Sequence, residues 1–177
     1  EYIMPAHGII WKDYIGDIIE TYKGIAAQKT ENKAVIVYES VWKHTQQIAE
    51  SLAEGFSDAG MDVKVYKLSD TKSSIVMREI MDAKVVCIGS GTYNNVMAPS
   101  VAAFLEHIRP CKLKNKKGLA FAAYGWFNQV AKEIDTRMQQ SGIESCHDVI
   151  NQCYTPSDDQ LEDYYNIAKE IAKNCQE

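Results

Sequence analysis

The sequence predicts an α/β fold, a three-layer sandwich on a five-stranded parallel sheet in the order 2-1-3-4-5. Three observations carry this. The apolar runs at residues 34–38, 85–89 and 119–124 are continuous rather than alternating, as strands buried on both faces are. Stretches with helical four-residue spacing separate them. From about residue 33 onward strand and helix alternate strictly, and short connections of this kind impose right-handed crossovers and helices on both faces of the sheet.

Residues 1–32 stand outside that rhythm. Pro5, Ala6, His7 and Gly8 make a turn, Tyr14, Ile15, Ile18, Ile19, Tyr22 and Ile25 a helix, and residues 27–32 a polar linker. This segment has too little apolar surface to fold by itself, so the chain divides into an annex, 1–32, and a domain, 33–177.

The domain opens with the strand at 34–38. Ile48, Leu52 and Phe56, flanked by Ala49 and Ala53, mark the first helix, which Gly60 closes. Residues 62–68 alternate in part, as a strand nearer an edge does, and residues 73–81 form a short helix. After the third strand, Val101, Phe104, Leu105 and Ile108 mark a helix with Pro99 in its first turn, where a missing N–H costs little. The lysine-rich residues 112–117 read as a solvated turn feeding the fourth strand. Val130, Ile134 and Met138 follow as a helix, then a weaker strand near 148–154. The last helix runs through Leu161, Tyr164, Ala168, Ile171 and Cys175, with Ser157 and Gln160 placed as its capping box.

Composition narrows the function. Hydrophobic residues make up 46% of the 177 and charged residues 24%, an ordinary globular mixture. A net charge of -5 argues against nucleic acid and against an anionic membrane surface as partners. No apolar run reaches membrane-spanning length. Cys87, Cys111, Cys146, Cys153 and Cys175 form no C-x-x-C pair, which favours reduced thiols and a cytoplasmic location. His107 and His147 read as structural or surface groups. The chain opens Glu1-Tyr2-Ile3-Met4, as a piece of a longer protein would.

In the strand order 2-1-3-4-5, ligands bind outside the carboxyl ends of strands one and three. The first wall there is Glu39, Ser40, Val41, Trp42, Lys43, His44 and Thr45, whose hydroxyls run straight into a helix. Helix-start N–H groups with hydroxyl donors hold phosphate, although a plain Ser or Thr helix cap accounts for the same residues. The loop has no glycine, so it is neither a Walker loop nor a dinucleotide fingerprint. The second wall is Ser90, Gly91, Thr92, Tyr93, Asn94 and Asn95. Gly91 and the two asparagines tolerate positive φ and Tyr93 offers a flat face; an ordinary turn is the alternative. The third wall is Tyr124, Gly125, Trp126, Phe127 and Asn128, where the aromatics could equally be core. A planar cofactor with a phosphate tail accounts for all three walls at once.

At these residues the sequence resembles the flavodoxin superfamily, and most of all the flavodoxin-like domain of flavodiiron proteins, the A-type flavoproteins. Residues 36–49 resemble the family's phosphate loop. Residues 90–95, followed by Pro99, and Tyr124, Gly125 and Trp126 resemble its flavin-ring loops, and residues 5–11 the end of its metallo-β-lactamase-type domain. The resemblance implies FMN as cofactor and electron transfer as function. In the intact parent it implies a diiron centre, with His7 as one ligand, reducing O2 to water or NO to N2O. It also implies a head-to-tail homodimer and a donor such as a rubredoxin-like protein, a flavin reductase or a reduced deazaflavin. Lys43, His44 and the stretch from Phe127 to Gln129 depart from the family pattern. A pocket spoiled by them would leave a binding or scaffold module, and a stand-alone FMN-dependent reductase is the third reading. His7 by itself cannot make a two-iron site.

Overall fold

The fold, seen in a computed structural model, is described over residues 1–176. After helix α1 (Ile15–Ala26) come β1 (Glu31–Glu39), α2 (His44–Asp58), β2 (Asp62–Lys67), α3 (Ser73–Met81) and β3 (Ala83–Tyr93). They are followed by β4 (Val96–Met97), α4 (Pro99–Ile108), β5 (Lys117–Tyr124), α5 (Val130–Gln140), β6 (Glu144–Ser145), β7 (Ile150–Cys153) and α6 (Asp158–Gln176). The parallel sheet runs β2-β1-β3-β5-β6, with β7 also parallel on β5. This is the expected 2-1-3-4-5 order, its fifth strand divided into two short pieces.

Alternation along the strands explains the layers, because successive side chains point to opposite faces. Val35, Val37, Val86, Ile88, Ala120 and Ala122 join the core under α3, α4 and α5. Their neighbours Ala34, Ile36, Val85, Cys87, Leu119 and Phe121 join the core under α2 and α6. Each strand therefore needs apolar residues at every position, which is the continuous pattern the sequence displays. The capping box forms as expected: Gln160 N–H donates to Ser157 Oγ at 3.3 Å, and Ser157 N–H to Gln160 Oε1 at 3.0 Å.

Three expectations need correction. Residues 90–93 are not loop but the end of β3: Ser90 pairs with β1 and β5, Gly91 with β5, and Thr92 and Tyr93 with the antiparallel β4. The polar stretch 27–32 is not a free linker. Gln28 donates to Lys112 O at 3.2 Å and accepts from Lys114 N–H at 2.8 Å, and β1 already begins at Glu31. The lysine-rich turn is only partly solvated, because Lys116 is 2% exposed, its ammonium donating to Met81 O at 2.9 Å and Ala83 O at 3.1 Å.

Burial brings the Lys116 pKa down to about 8. Its folded pKa lies below the unfolded one, so between them the unfolded chain binds more protons and stability rises with pH. From pH 7.5 to 9 the wild-type chain is expected to gain on the order of 1 kcal/mol relative to Lys116→Met, read by urea unfolding at each pH. Above pH 9 the buried thiol of Cys87 and the half-buried thiol of Cys146, both raised by desolvation, act in the opposite sense and bound the window. A pH-independent difference between the two proteins would refute the assignment.

Candidate functional site

The carboxyl ends of β1, β3, β5 and β7 surround a cleft of about 320 Å³. Its first wall is the connection from β1 into α2. Ser40, Val41, Trp42, His44 and Thr45 line it. Ser40 and Thr45 are 8% and 1% exposed, yet their hydroxyls have no hydrogen-bond partner among the described residues and face the cleft. Lys43 turns the chain into α2 in a left-handed conformation, φ 67°. The first N–H of the helix with an intrachain acceptor is that of Gln47, on Lys43 O at 2.9 Å. Among the described residues the preceding N–H groups of the helix have no acceptor; they are the free donors of a helix start, at the positive end of its dipole.

Glu39 does not line the cleft. It lies behind the wall, 7% exposed, and its carboxylate accepts from Ser40 N–H at 3.0 Å, Ser100 Oγ at 3.2 Å and Ser69 Oγ at 3.4 Å. The residue braces the loop from below, tying it to α4 and to the chain after β2.

The second wall is the end of β3. Gly91, Thr92 and Tyr93 line the cleft. Asn94 and Asn95 turn the strand back into β4 with φ of 48° and 70°. Positive φ at both central residues is what a two-residue hairpin of type I′ demands, so these asparagines shape the wall without lining it. Ser90 is fully buried, donating to Gly91 O at 2.7 Å and accepting from Ala98 N–H at 2.8 Å; it too supports rather than lines. Gly91 lies close to the first wall, since a Cβ there would come within 3.7 Å of Thr45 Oγ1. Burial first, and then the Glu39 charge, raise the Tyr93 phenol above its ordinary pKa and keep it neutral.

Tyr124, Gly125 and Trp126 line the third wall. Trp126 Nε1 donates to Asn95 Oδ1 at 3.1 Å, joining the second and third walls. Phe127 and Asn128 do not line the cleft. Phe127 packs on the core under α3, α4 and α5, and Asn128 is exposed. Since Lys43 and Phe127 both lie off the cleft, neither crowds it as the sequence alone allowed.

Sequence reasoning missed Ala123 and Tyr154, both of which line the cleft. Tyr154 follows β7, and its ring lies across Gly125, where a Cβ would meet Tyr154 Cε1 at 3.4 Å. Its position at the carboxyl end of the fifth strand was the available signal. His7 is exposed in the annex, and no group of three or more His, Cys, Asp or Glu among the described residues is placed to hold a metal.

Among the described residues, no Asp, Glu, Lys or Arg lines the cleft. An anion there is met by amide dipoles and hydroxyls, and the rest of the space is bounded by the aromatic rings of Trp42, Tyr93, Trp126 and Tyr154. The site therefore suits a flat molecule with one anionic end.

Comparison with known proteins agrees with this geometry. Residues 36–172 match the family model for flavodoxin. An uncharacterized protein of Methanocaldococcus jannaschii is 38% identical over 97% of this chain and 44% of its own length. A nitric oxide reductase of Moorella thermoacetica is 37% identical over 96% of the chain and 43% of its own length. Among solved structures, rubredoxin oxygen:oxidoreductase from Desulfovibrio gigas superposes with a TM-score of 0.95 at 33% identity, covering 99% of this chain and 44% of that one. The chain thus spans less than half the length of these relatives. With the flavodoxin match running from β1 into α6 and the cleft at the matching sheet edge, the chain belongs to the flavodoxin family.

Proposed function

We propose that the cleft holds FMN and that the chain is the electron-transfer part of a larger oxidoreductase. The observation that carries this is the pairing, in one cleft, of an anion site with aromatic walls. The amides at the start of α2 and the unpartnered hydroxyls of Ser40 and Thr45 receive the phosphate. Tyr93, Trp126 and Tyr154 bound the space for the ring, and Gly91 and Gly125 allow the backbone to approach it. Ligand clefts of this kind run upward from about 300 Å³. Bound FMN supplies the one- and two-electron chemistry; the chain's residues fix its position, shield it from water and set the electrostatics around it.

In the parent protein, residues 1–32 end a preceding metallo-β-lactamase-type domain, and His7 contributes to a diiron centre that reduces O2 to water or NO to N2O. Support comes from α1, which buries none of its residues and exposes Tyr22 and Ile25, and from relatives more than twice as long. Electrons arrive from a rubredoxin-like protein, a flavin reductase or a reduced deazaflavin, and the parent works as a cytoplasmic homodimer. No helix among the described residues is long and apolar enough to cross a membrane.

Mixing the apo-protein with FMN is expected to give a yellow one-to-one complex that survives gel filtration, with quenched flavin fluorescence. Protein that elutes colourless after mixing would overturn the reading.

A further inference from the structure

Among the described residues, one side-chain hydrogen bond joins the phosphate wall to the far side of the cleft: His44 Nε2 lies 3.1 Å from Thr155 Oγ1. The two residues are 111 positions apart in sequence. His44 is the first residue of α2, and Thr155 directly follows Tyr154, the aromatic wall contributed beyond β7. Nothing in the spacing of the sequence announces this pair.

The position of Tyr154 needs explaining. Its φ is 56°, in the left-handed region, and 61% of the residue is exposed. A bulky non-glycine residue adopts that conformation only where its surroundings impose it. On one side it is fixed by its N–H on Tyr124 O at 2.8 Å. On the other side Pro156 is buried and the capping box of α6 begins at Ser157. Thr155 lies between these anchors, and its partner is His44.

We infer that His44 and Thr155 form a latch across the mouth of the cleft that holds the Tyr154 ring against Gly125, making His44 a positioning residue for the flavin ring rather than a ligand of the phosphate. The inference rests on the proposed FMN site only for its consequence in binding; the latch itself belongs to the chain. Either His44 tautomer serves, since a threonine hydroxyl both donates and accepts. The latch also couples the two ends of the ligand. Whatever settles the start of α2 settles the ring wall too.

The test compares His44→Ala, Thr155→Val and Thr155→Ser with the wild-type chain in two measurements. One is hydrogen exchange of the Tyr154 amide in the apo-protein. The other is the affinity for FMN and for riboflavin, which lacks the phosphate. Loss of the hydroxyl or of the imidazole is expected to speed Tyr154 exchange and to weaken both flavins by the same factor, roughly fivefold to tenfold for one hydrogen bond. Thr155→Ser is expected to restore wild-type values, because it keeps the hydroxyl. Two results would overturn the latch. One is a loss in His44→Ala confined to FMN with Thr155→Val unaffected, which would place His44 on the phosphate. The other is unchanged Tyr154 exchange in both variants. If neither flavin binds, the FMN site is wrong, and the exchange measurement still decides the latch.

Discussion

Removing both hydroxyls of the first wall, in Ser40→Ala/Thr45→Val, is expected to weaken FMN binding by about two orders of magnitude or more and to leave riboflavin nearly unaffected. A hydrogen bond to a charged group contributes about 1.5–3 kcal/mol, and in the proposed site each hydroxyl supplies one to the phosphate. Neither has another partner among the described residues, so the substitution strands no buried group of the protein. Thr45→Val keeps the shape of a residue that is 1% exposed, so the fold should persist with unchanged urea midpoint. The contrast between flavins is the diagnostic quantity. Equal losses for FMN and riboflavin would mean that the hydroxyls face the ring or only support the loop, and the phosphate site would have to be placed elsewhere.

Gly142→Ala is expected to cost about 3 kcal/mol of stability or more, against about 1 kcal/mol for Gly60→Ala. Both glycines end helices in the same way. After α5, Ile143 N–H donates to Met138 O at 3.1 Å and Gly142 N–H to Gln139 O at 2.9 Å. After α2, Met61 N–H donates to Phe56 O at 3.1 Å and Gly60 N–H to Ser57 O at 2.9 Å. Each pair of bonds is a Schellman motif with its glycine in the left-handed region, at φ of 90° and 82°. The surroundings differ. A Cβ on Gly60 meets nothing within 4 Å, whereas on Gly142 it would lie 2.0 Å from Leu113 O. That carbonyl belongs to a residue whose own N–H donates to Ser141 O at 2.8 Å, so it cannot yield without opening the junction between the turn before β5 and the end of α5. Urea unfolding of the two variants checks this. Equal losses would show that backbone strain alone operates at both sites.

The strands most legible in the sequence are those for which both faces are buried. Residues 34–38, 85–89 and 119–124 sit in β1, β3 and β5, where alternate side chains enter the two cores and every position must be apolar. The fifth strand is harder to read for the same reason. At the sheet edge, β7 buries only Ile150 and Gln152, and its polar character leaves no continuous apolar run. Tyr154 was overlooked along with it. The extension of β3 through residues 90–93 was hidden because glycine and small polar residues look like loop; pairing of Ser90 to β1 and β5, of Gly91 to β5, and of Thr92 and Tyr93 to β4 overrides that local preference.

Polar contacts to the backbone leave no periodic trace at all. That is why Gln28, Lys116 and the bracing carboxylate of Glu39 are visible only in three dimensions. The asparagines are the opposite case. Asn94-Asn95 announces a positive-φ turn by residue type alone, and both residues adopt one. Of the three loops read from sequence, the stretches that line the cleft are Ser40 to Trp42 with His44 and Thr45, Gly91 to Tyr93, and Tyr124 to Trp126. Glu39, Ser90, Asn94 and Asn95 support or turn the walls without lining the cleft, Phe127 packs on the core and Asn128 is exposed.

Backbone amide chemical shifts of the apo-protein, mapped as FMN is added, test whether this cleft is the FMN site. The largest changes are expected at the amides of Val41 to Gln46, where phosphate meets the start of α2, with ring-current shifts at Gly91 to Tyr93, Tyr154 and the Trp126 indole. Riboflavin is expected to reproduce the second set and to lose most of the first. Saturable shifts centred elsewhere on the surface, or none at millimolar FMN, would contradict that placement.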